Sequence, residues 1–121
     1  MTMQRAIVLF GHGSRDPLWR LPMETVAARL RALRPDTPVR CAYLELESPS
    51  LPEAATDVLA GGATHVTIVP MFLGAGRHAR EDLPALVAGL RASHPGVEFA
   101  LQKPVGEDAR VLDLIAQIAL E

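Results

Sequence analysis

Four short apolar runs alternate along this chain with four longer segments in which apolar residues recur every three or four positions. The short runs read as strands and the longer ones as helices with one apolar face. The first run, Ala6 to Phe10, is unbroken (AIVLF), as expected of a parallel strand covered on both faces. It ends in a glycine-rich turn, Gly11 to Ser14. The second, Val39 to Leu44, mixes apolar and polar residues and delivers Glu45 at its end. The third, Val66 to Val69, runs through Pro70, Met71, Phe72 and Leu73 into a long turn from Gly74 to His78, and the fourth is Val97 to Leu101.

Helix boundaries are marked by residues with local reasons to sit there. Pro22 suits a first helical turn, and Met23, Val26, Ala27, Leu30 and Leu33 share one face before Arg34-Pro35 ends the segment. Ser50-Leu51-Pro52-Glu53 has the form of a capping box, in which a hydroxyl and a carboxylate satisfy free backbone N–H groups, and Gly61-Gly62 closes the helix it opens. A third helix carries Leu83, Leu86, Val87 and Leu90 and breaks at His94-Pro95-Gly96. The last spans about Asp108 to Leu120, with Val111, Leu114, Ile115 and Ile118 in one stripe. Leu112, Ala116 and Ala119 lie beside that stripe as apolar surplus suited to an interface.

Strict alternation of strand and helix predicts a three-layer α/β/α domain, residues 1–121, with a four-stranded parallel sheet flanked by helices on both faces. Right-handed crossovers place the four helices on the two faces and the four strand ends along one edge. Ligands of open parallel sheets bind outside that edge. With 121 residues there is room for one hydrophobic core. The net charge of -2 comes from 12 basic and 14 acidic residues interleaved along the chain, so no polybasic face is available for nucleic acid. No stretch approaches the ~20 apolar residues that span a bilayer, and the single cysteine, Cys41, makes no internal disulfide. A cytoplasmic protein without a membrane partner is expected.

Candidate chemistry concentrates at the carboxyl edge. His12 follows the first strand, Glu45 ends the second, and His78 lies in the loop after the third. Two imidazoles and a carboxylate suit borderline divalent metals such as Co²⁺, Fe²⁺, Ni²⁺ or Zn²⁺, and the same groups serve equally as proton acceptors. Glu47, two residues beyond Glu45, fits a strand-end carboxylate too. Arg15, Arg77 and Arg80 stand beside the histidines on two loops, suiting a ligand with several carboxylates or phosphates. Ser14 and Gly74 complete the candidate substrate contacts on the same loops. His65 falls at the opposite edge, and His94 sits in a helix C-terminal turn where the dipole favours an imidazolium, so both read as structural. Cys41 reads as a small buried hydrophobe. Trp19, Tyr43, Met71 and Phe72 are suited to wall an apolar ligand, although core packing is the commoner fate of such residues. The Gly11–Ser14 turn lacks the ending of a phosphate-binding P-loop and the spacing of a dinucleotide fingerprint, and Ser14 is not in a nucleophile elbow.

Three motifs in order carry a family resemblance. Gly11-His12-Gly13-Ser14-Arg15-Asp16-Pro17 is the first, and Tyr43-Leu44-Glu45 followed by Pro49-Ser50-Leu51 is the second. The third runs from Val69-Pro70-Met71-Phe72-Leu73-Gly74 through Gly76 and His78 to Asp82-Leu83-Pro84. Together they resemble the sirohydrochlorin chelatases of the class II, CbiX/SirB type, over nearly the whole chain. The resemblance implies ATP-independent insertion of a divalent metal into sirohydrochlorin, a tetrapyrrole with eight carboxylates on the route to cobalamin, sirohaem and related cofactors. By position, His12 and His78 match the family's metal-binding and catalytic histidines and Glu45 its accompanying glutamate, while Glu47 has no match. The implied metal is Co²⁺, with Fe²⁺ or Ni²⁺ as alternatives, acting as substrate with no further cofactor. Many family members fuse two such domains around a cleft, and this chain resembles the short form. A homodimer is therefore expected, with the tetrapyrrole between two subunits. A metal- or tetrapyrrole-binding carrier without catalysis is the alternative reading.

Overall fold

The structure, a computed structural model, describes residues 3–121. Its elements are β1 (Arg5–Gly11), α1 (Leu21–Leu33), β2 (Val39–Tyr43), α2 (Leu51–Ala60), β3 (His65–Pro70), α3 (Arg77–Ser93), β4 (Glu98–Leu101), a 3-10 turn (Val105–Glu107) and α4 (Ala109–Ala119). The strands form one parallel sheet in the order β2-β1-β3-β4. The α/β architecture expected from the alternation is present, with helices on both faces of the sheet.

Strand β1 is central, in register with β2 from Ile7 opposite Val39 to Gly11 opposite Tyr43, and with β3 from Arg5 opposite His65 to Phe10 opposite Pro70. Being flanked on both sides explains its unbroken apolar run. Ala6, Val8 and Phe10 point to the face covered by α2 and α3, where Leu51, Ala54, Ala55, Val58, Leu83 and Val87 are buried. Leu9 points to the other face, where Met23 and Ala27 of α1 pack with Val39 and Tyr43. Truncating a side chain such as the fully buried Phe10 costs about 3–5 kcal/mol, so these two layers outweigh any single surface contact.

The helices differ from the sequence reading in three respects. Helix α1 buries a narrower stripe, Met23 and Ala27, leaving Val26 and Leu33 exposed, because α1 covers only the β1–β2 half of its face. Helix α3 starts at Arg77, so Arg77 and His78 stand in its first turn instead of a loop. Two ion pairs at i,i+4 spacing, Arg77–Glu81 at 3.0 Å and His78–Asp82 at 3.3 Å, tie that turn to the next. The third concerns α4, whose stripe was expected to pack on the sheet. None of its residues is buried, because the preceding 3-10 turn, which the sequence reading did not contain, directs it away from the strands.

The capping box of α2 is formed as the sequence predicts. Glu53 N–H donates to Ser50 Oγ at 3.3 Å, and Ser50 N–H donates to Glu53 Oε1 at 2.9 Å. Those bonds from Ser50 hold the Glu53 carboxyl below its ordinary pKa of 4.5. A depressed carboxyl stabilises the fold above the unfolded-state value and loses that contribution as pH falls through the folded-state value. Glu53→Gln removes the charge that these bonds stabilise, and is expected to lower the unfolding free energy at neutral pH with a smaller difference in acid, where the parent carboxyl is itself protonated. Urea denaturation of both proteins at pH 7 and pH 3 checks this, and an equal loss at both would contradict the carboxylate's part in the cap.

Candidate functional site

The loop after β1 is fixed against the loop after β2 by backbone packing. Gly13 has φ +99°, and a Cβ there would lie 1.8 Å from the Glu45 carbonyl oxygen, so only glycine fits. Glu45 N–H donates to His12 O at 3.1 Å and Leu44 N–H to Gly11 O at 2.9 Å, extending the β1–β2 ladder beyond the strands. His12 and Glu45 are thereby carried on one bonded pair of loops, both side chains facing solvent. The His12 ring stands edge-on to Phe72, centroids 5.9 Å apart, and Phe72 packs in turn on Phe10 at 6.1 Å. A buried phenylalanine thus links the β1 loop to the segment after β3.

His78 stands at the same edge in the first turn of α3, its side chain 87% exposed and paired with Asp82. Among the described residues no three His, Cys, Asp or Glu side chains lie close enough to hold a metal together. His12 and Glu45, on the loops after β1 and β2, and His78, in the first turn of α3 after β3, are therefore separate groups, all exposed to solvent. Arg15 and Arg80 are exposed beside them, whereas Arg77 is engaged by Glu81. Ser14 is half-buried and its Oγ accepts from Asp16 N–H at 3.0 Å, bracing the β1 loop. A Cβ at Gly74 would meet nothing within 4 Å, so that glycine leaves open space at the edge.

Glu47 holds the site from behind, a role the sequence reading did not give it. Its side chain is only 9% exposed; Oε1 accepts from Ser14 N–H at 2.9 Å, and Oε2 lies 3.5 Å from Arg20 Nη1 as an ion pair without hydrogen-bond alignment. The signal for it is the sharp bend between the two glutamates: Leu46 has φ +66°, a left-handed conformation that costs a non-glycine residue about 1 kcal/mol or more. That bend turns Glu45 outward and Glu47 inward, and it lifts the Leu46 side chain to 55% exposure. Leu18, Trp19 and Leu73 are likewise exposed on the loops after β1 and β3. Apolar loop tips thus surround the histidines, an arrangement suited to a flat apolar face.

The remaining candidates fall where the sequence placed them except Cys41, which was expected to be buried and is only half-buried in β2. Tyr43 and Phe72 are core residues, and burial pushes the Tyr43 hydroxyl up to about 12. Trp19 packs edge-on against Tyr43 at 6.1 Å, and Met71 is half-buried. His65 opens β3 at the far edge, bonded to Thr64 Oγ1 at 2.8 Å and Glu98 at 3.2 Å, and His94 caps α3 against Phe99. Burial pushes the half-buried Cys41 thiol up. A surface hollow of about 700 Å³ between α2 and α3 contains none of the edge histidines, so its size does not make it the site.

An open parallel sheet with imidazole and carboxylate groups beyond its carboxyl edge is the arrangement in which α/β proteins take small ligands across the strand ends. The chain belongs to the CbiX family, whose model matches residues 6–121. It is 29% identical to the sirohydrochlorin cobaltochelatase of Methanococcus aeolicus over 134 residues, covering 91% of this chain and 94% of the relative. It is 30% identical to the sirohydrochlorin ferrochelatase of Bacillus subtilis, covering 93% of this chain but 43% of that longer relative. Among solved structures, a CbiX protein from Marinobacter aquaeolei VT8 superposes with a TM-score of 0.82 at 34% identity, over 96% of this chain and 94% of that one.

Removing the Glu47 carboxylate would leave the Ser14 N–H without its acceptor. Glu47→Ala is expected to lower the unfolding free energy by about 1–3 kcal/mol, and Glu47→Gln by less, because glutamine keeps an oxygen toward Ser14. Urea denaturation of the three proteins measures this; an alanine variant as stable as the parent would contradict the bracing role.

Proposed function

We propose that this protein inserts a divalent metal into sirohydrochlorin at the carboxyl edge of its sheet, with Co²⁺ as the principal metal substrate. The reading is supported by the match of this chain to a short cobaltochelatase almost end to end, with His12, Glu45 and His78 on the segments that follow β1, β2 and β3. Metal insertion needs transient metal ligands and acceptors for the two pyrrole protons that the metal displaces. Imidazole and carboxylate perform both tasks, so His12, His78 and Glu45 serve as metal ligands and as the acceptors. Their openness to solvent suits a metal that must be released into the ring, since a closed ligand cage would retain it.

The eight carboxylates of the tetrapyrrole are met by Arg15 and Arg80, which are exposed and, among the described residues, lack acidic partners within salt-bridge reach, with Arg77 joining if it exchanges Glu81 for substrate. Ser14 and Gly74 border the ring on the β1 and β3 loops, and Leu18, Leu46 and Leu73 contact its apolar face. One such edge covers one face of a planar ligand, so a homodimer encloses it by presenting a second edge. The reaction takes place in the cytoplasm; among the described residues no helix is long and apolar enough to cross a membrane.

In an assay of sirohydrochlorin with Co²⁺, His12→Ala and His78→Ala are each expected to lower the protein-dependent rate by roughly 100-fold or more, the scale of a lost acid–base group. Glu45→Gln should slow it as well, and His65→Ala should leave it near the parental rate. Absorbance at the metallated-product band measures all four. Equal losses in all four variants would contradict the assignment of the edge, and binding of one sirohydrochlorin per site without turnover would make the protein a carrier.

A further inference from the structure

Helix α4 carries the most one-sided apolar surface in the structure and buries none of it. Leu112, Leu114, Ile115 and Ile118 are 48%, 55%, 42% and 59% exposed. At about 100° per residue, Leu114, Ile118, Val111 and Ile115 fall on one continuous arc. A helix of 11 residues is marginal in water on its own and draws its stability from packing that face. Among the described residues its main neighbour is the 3-10 turn Val105–Glu107.

The same chain holds an uncovered apolar strip. On the face that α1 covers, the register aligns Val39, Ile7, Thr67 and Ala100 in one row across the sheet. Val39 is fully buried, Ile7 and Thr67 are half-buried, and Ala100 is exposed, so cover is lost stepwise from α1 toward β4. The opposite face shows no such gradient: Ala6, Val66 and Phe99 are 0%, 1% and 5% exposed. Thr67, Val69 and Ala100 form the open strip, and the His65–Glu98 pair gives it a polar rim.

Helix α4 does not reach this strip in its own chain, and its exit direction is fixed. Gly106 is buried, its N–H donates to Phe72 O at 2.9 Å, and a Cβ there would lie 1.7 Å from Leu73 O. That packed turn stands just ahead of α4, whose main contacts in its own chain are with the turn itself and not with the strands. Two apolar surfaces of one chain that are not packed on each other are satisfied when two copies exchange them, and a two-fold axis satisfies both at once. We propose that α4 of each copy packs on the β3–β4 strip of a second copy, in reciprocal exchange. This rests on the homodimer reading above and names its interface. The second copy is thereby held by the segment that leaves Leu73 and Gly106, beside the carboxyl edge, which is where a shared cleft needs it.

Sedimentation equilibrium of the full chain at micromolar concentration tests the exchange with two variants on different elements, Ile115→Asp/Ile118→Asp on α4 and Ala100→Arg on β4. The parent should sediment as a dimer and each variant as a monomer, with the β-sheet circular dichroism retained. An equimolar mixture of the two variants should recover dimer, because the intact α4 of one meets the intact strip of the other. A monomeric parent would overturn both the exchange and the homodimer. A parent dimer that survives the α4 variant, or one lost in the α4 variant but kept in Ala100→Arg, would overturn the exchange alone. Failure of the mixture to dimerise would overturn it too. Cobalt insertion by the parent, measured in parallel, reports on the chelatase reading independently of the interface.

Discussion

Strand β1 is hydrogen-bonded on one side to β2 and on the other to β3, so none of its residues can move without breaking a ladder. The positions of the functional loops follow from that constraint. Gly11 is the last residue of β1, in register with Tyr43, and Phe10 is in register with Pro70, so three loops leave the sheet at nearly one level. A parallel sheet places consecutive strand ends at the same edge, and the central position of β1 makes its loop the neighbour of the other two. His12, Glu45 and His78 share that edge because of topology and do not attract one another.

Rigidity behind the edge and openness in front of it have a common origin in two backbone features. The missing side chain at Gly13 lets the β1 loop lie against Glu45, and the left-handed Leu46 reverses the chain so that neighbouring glutamates point opposite ways. Glu47 spends its carboxylate inside, on Ser14 and Arg20, while Glu45 keeps its own in solvent. Strain at Leu46 of about 1 kcal/mol is small beside the cost of leaving the buried Glu47 carboxylate without partners, which explains why the bend persists. The exposed donors thus stand on a braced frame, as a site that must bind a metal and then release it requires.

Much of this was legible in the sequence because the local signals and the tertiary structure agree. The AIVLF run, the Ser50–Glu53 box and the His94-Pro95-Gly96 break each have one dominant physical reading, and the fold adopts it. The start of α3 was harder, since Gly74 and Gly76 signal a loop while the Arg77–Glu81 and His78–Asp82 pairs that extend the helix are weak surface interactions. Glu47 was misjudged because burial of a carboxylate depends on a long-range partner, Ser14, that no spacing rule reveals. The stripe on α4 was read correctly as apolar, but periodicity states only that a face must be covered. Where that cover comes from is not written in periodicity, and the turn at Gly106 that precedes α4 rests on a tertiary contact with Leu73.

Chemistry at the edge and assembly of the protein are separable in this fold, because α4 leaves the sheet only after all three functional loops have been placed. On the proposed reading, the exposed donors and apolar loop tips form the surface that receives a flat, acidic ligand and exchanges two protons for one metal ion. Proton release during cobalt insertion, followed in weakly buffered solution with sirohydrochlorin in large excess over protein, tests this most directly. The account predicts two protons per cobalt inserted, sustained over many turnovers and dependent on His12 and His78. Release that stops after one equivalent of ring per site, or that proceeds at the parental rate in the double variant His12→Ala/His78→Ala, would contradict it.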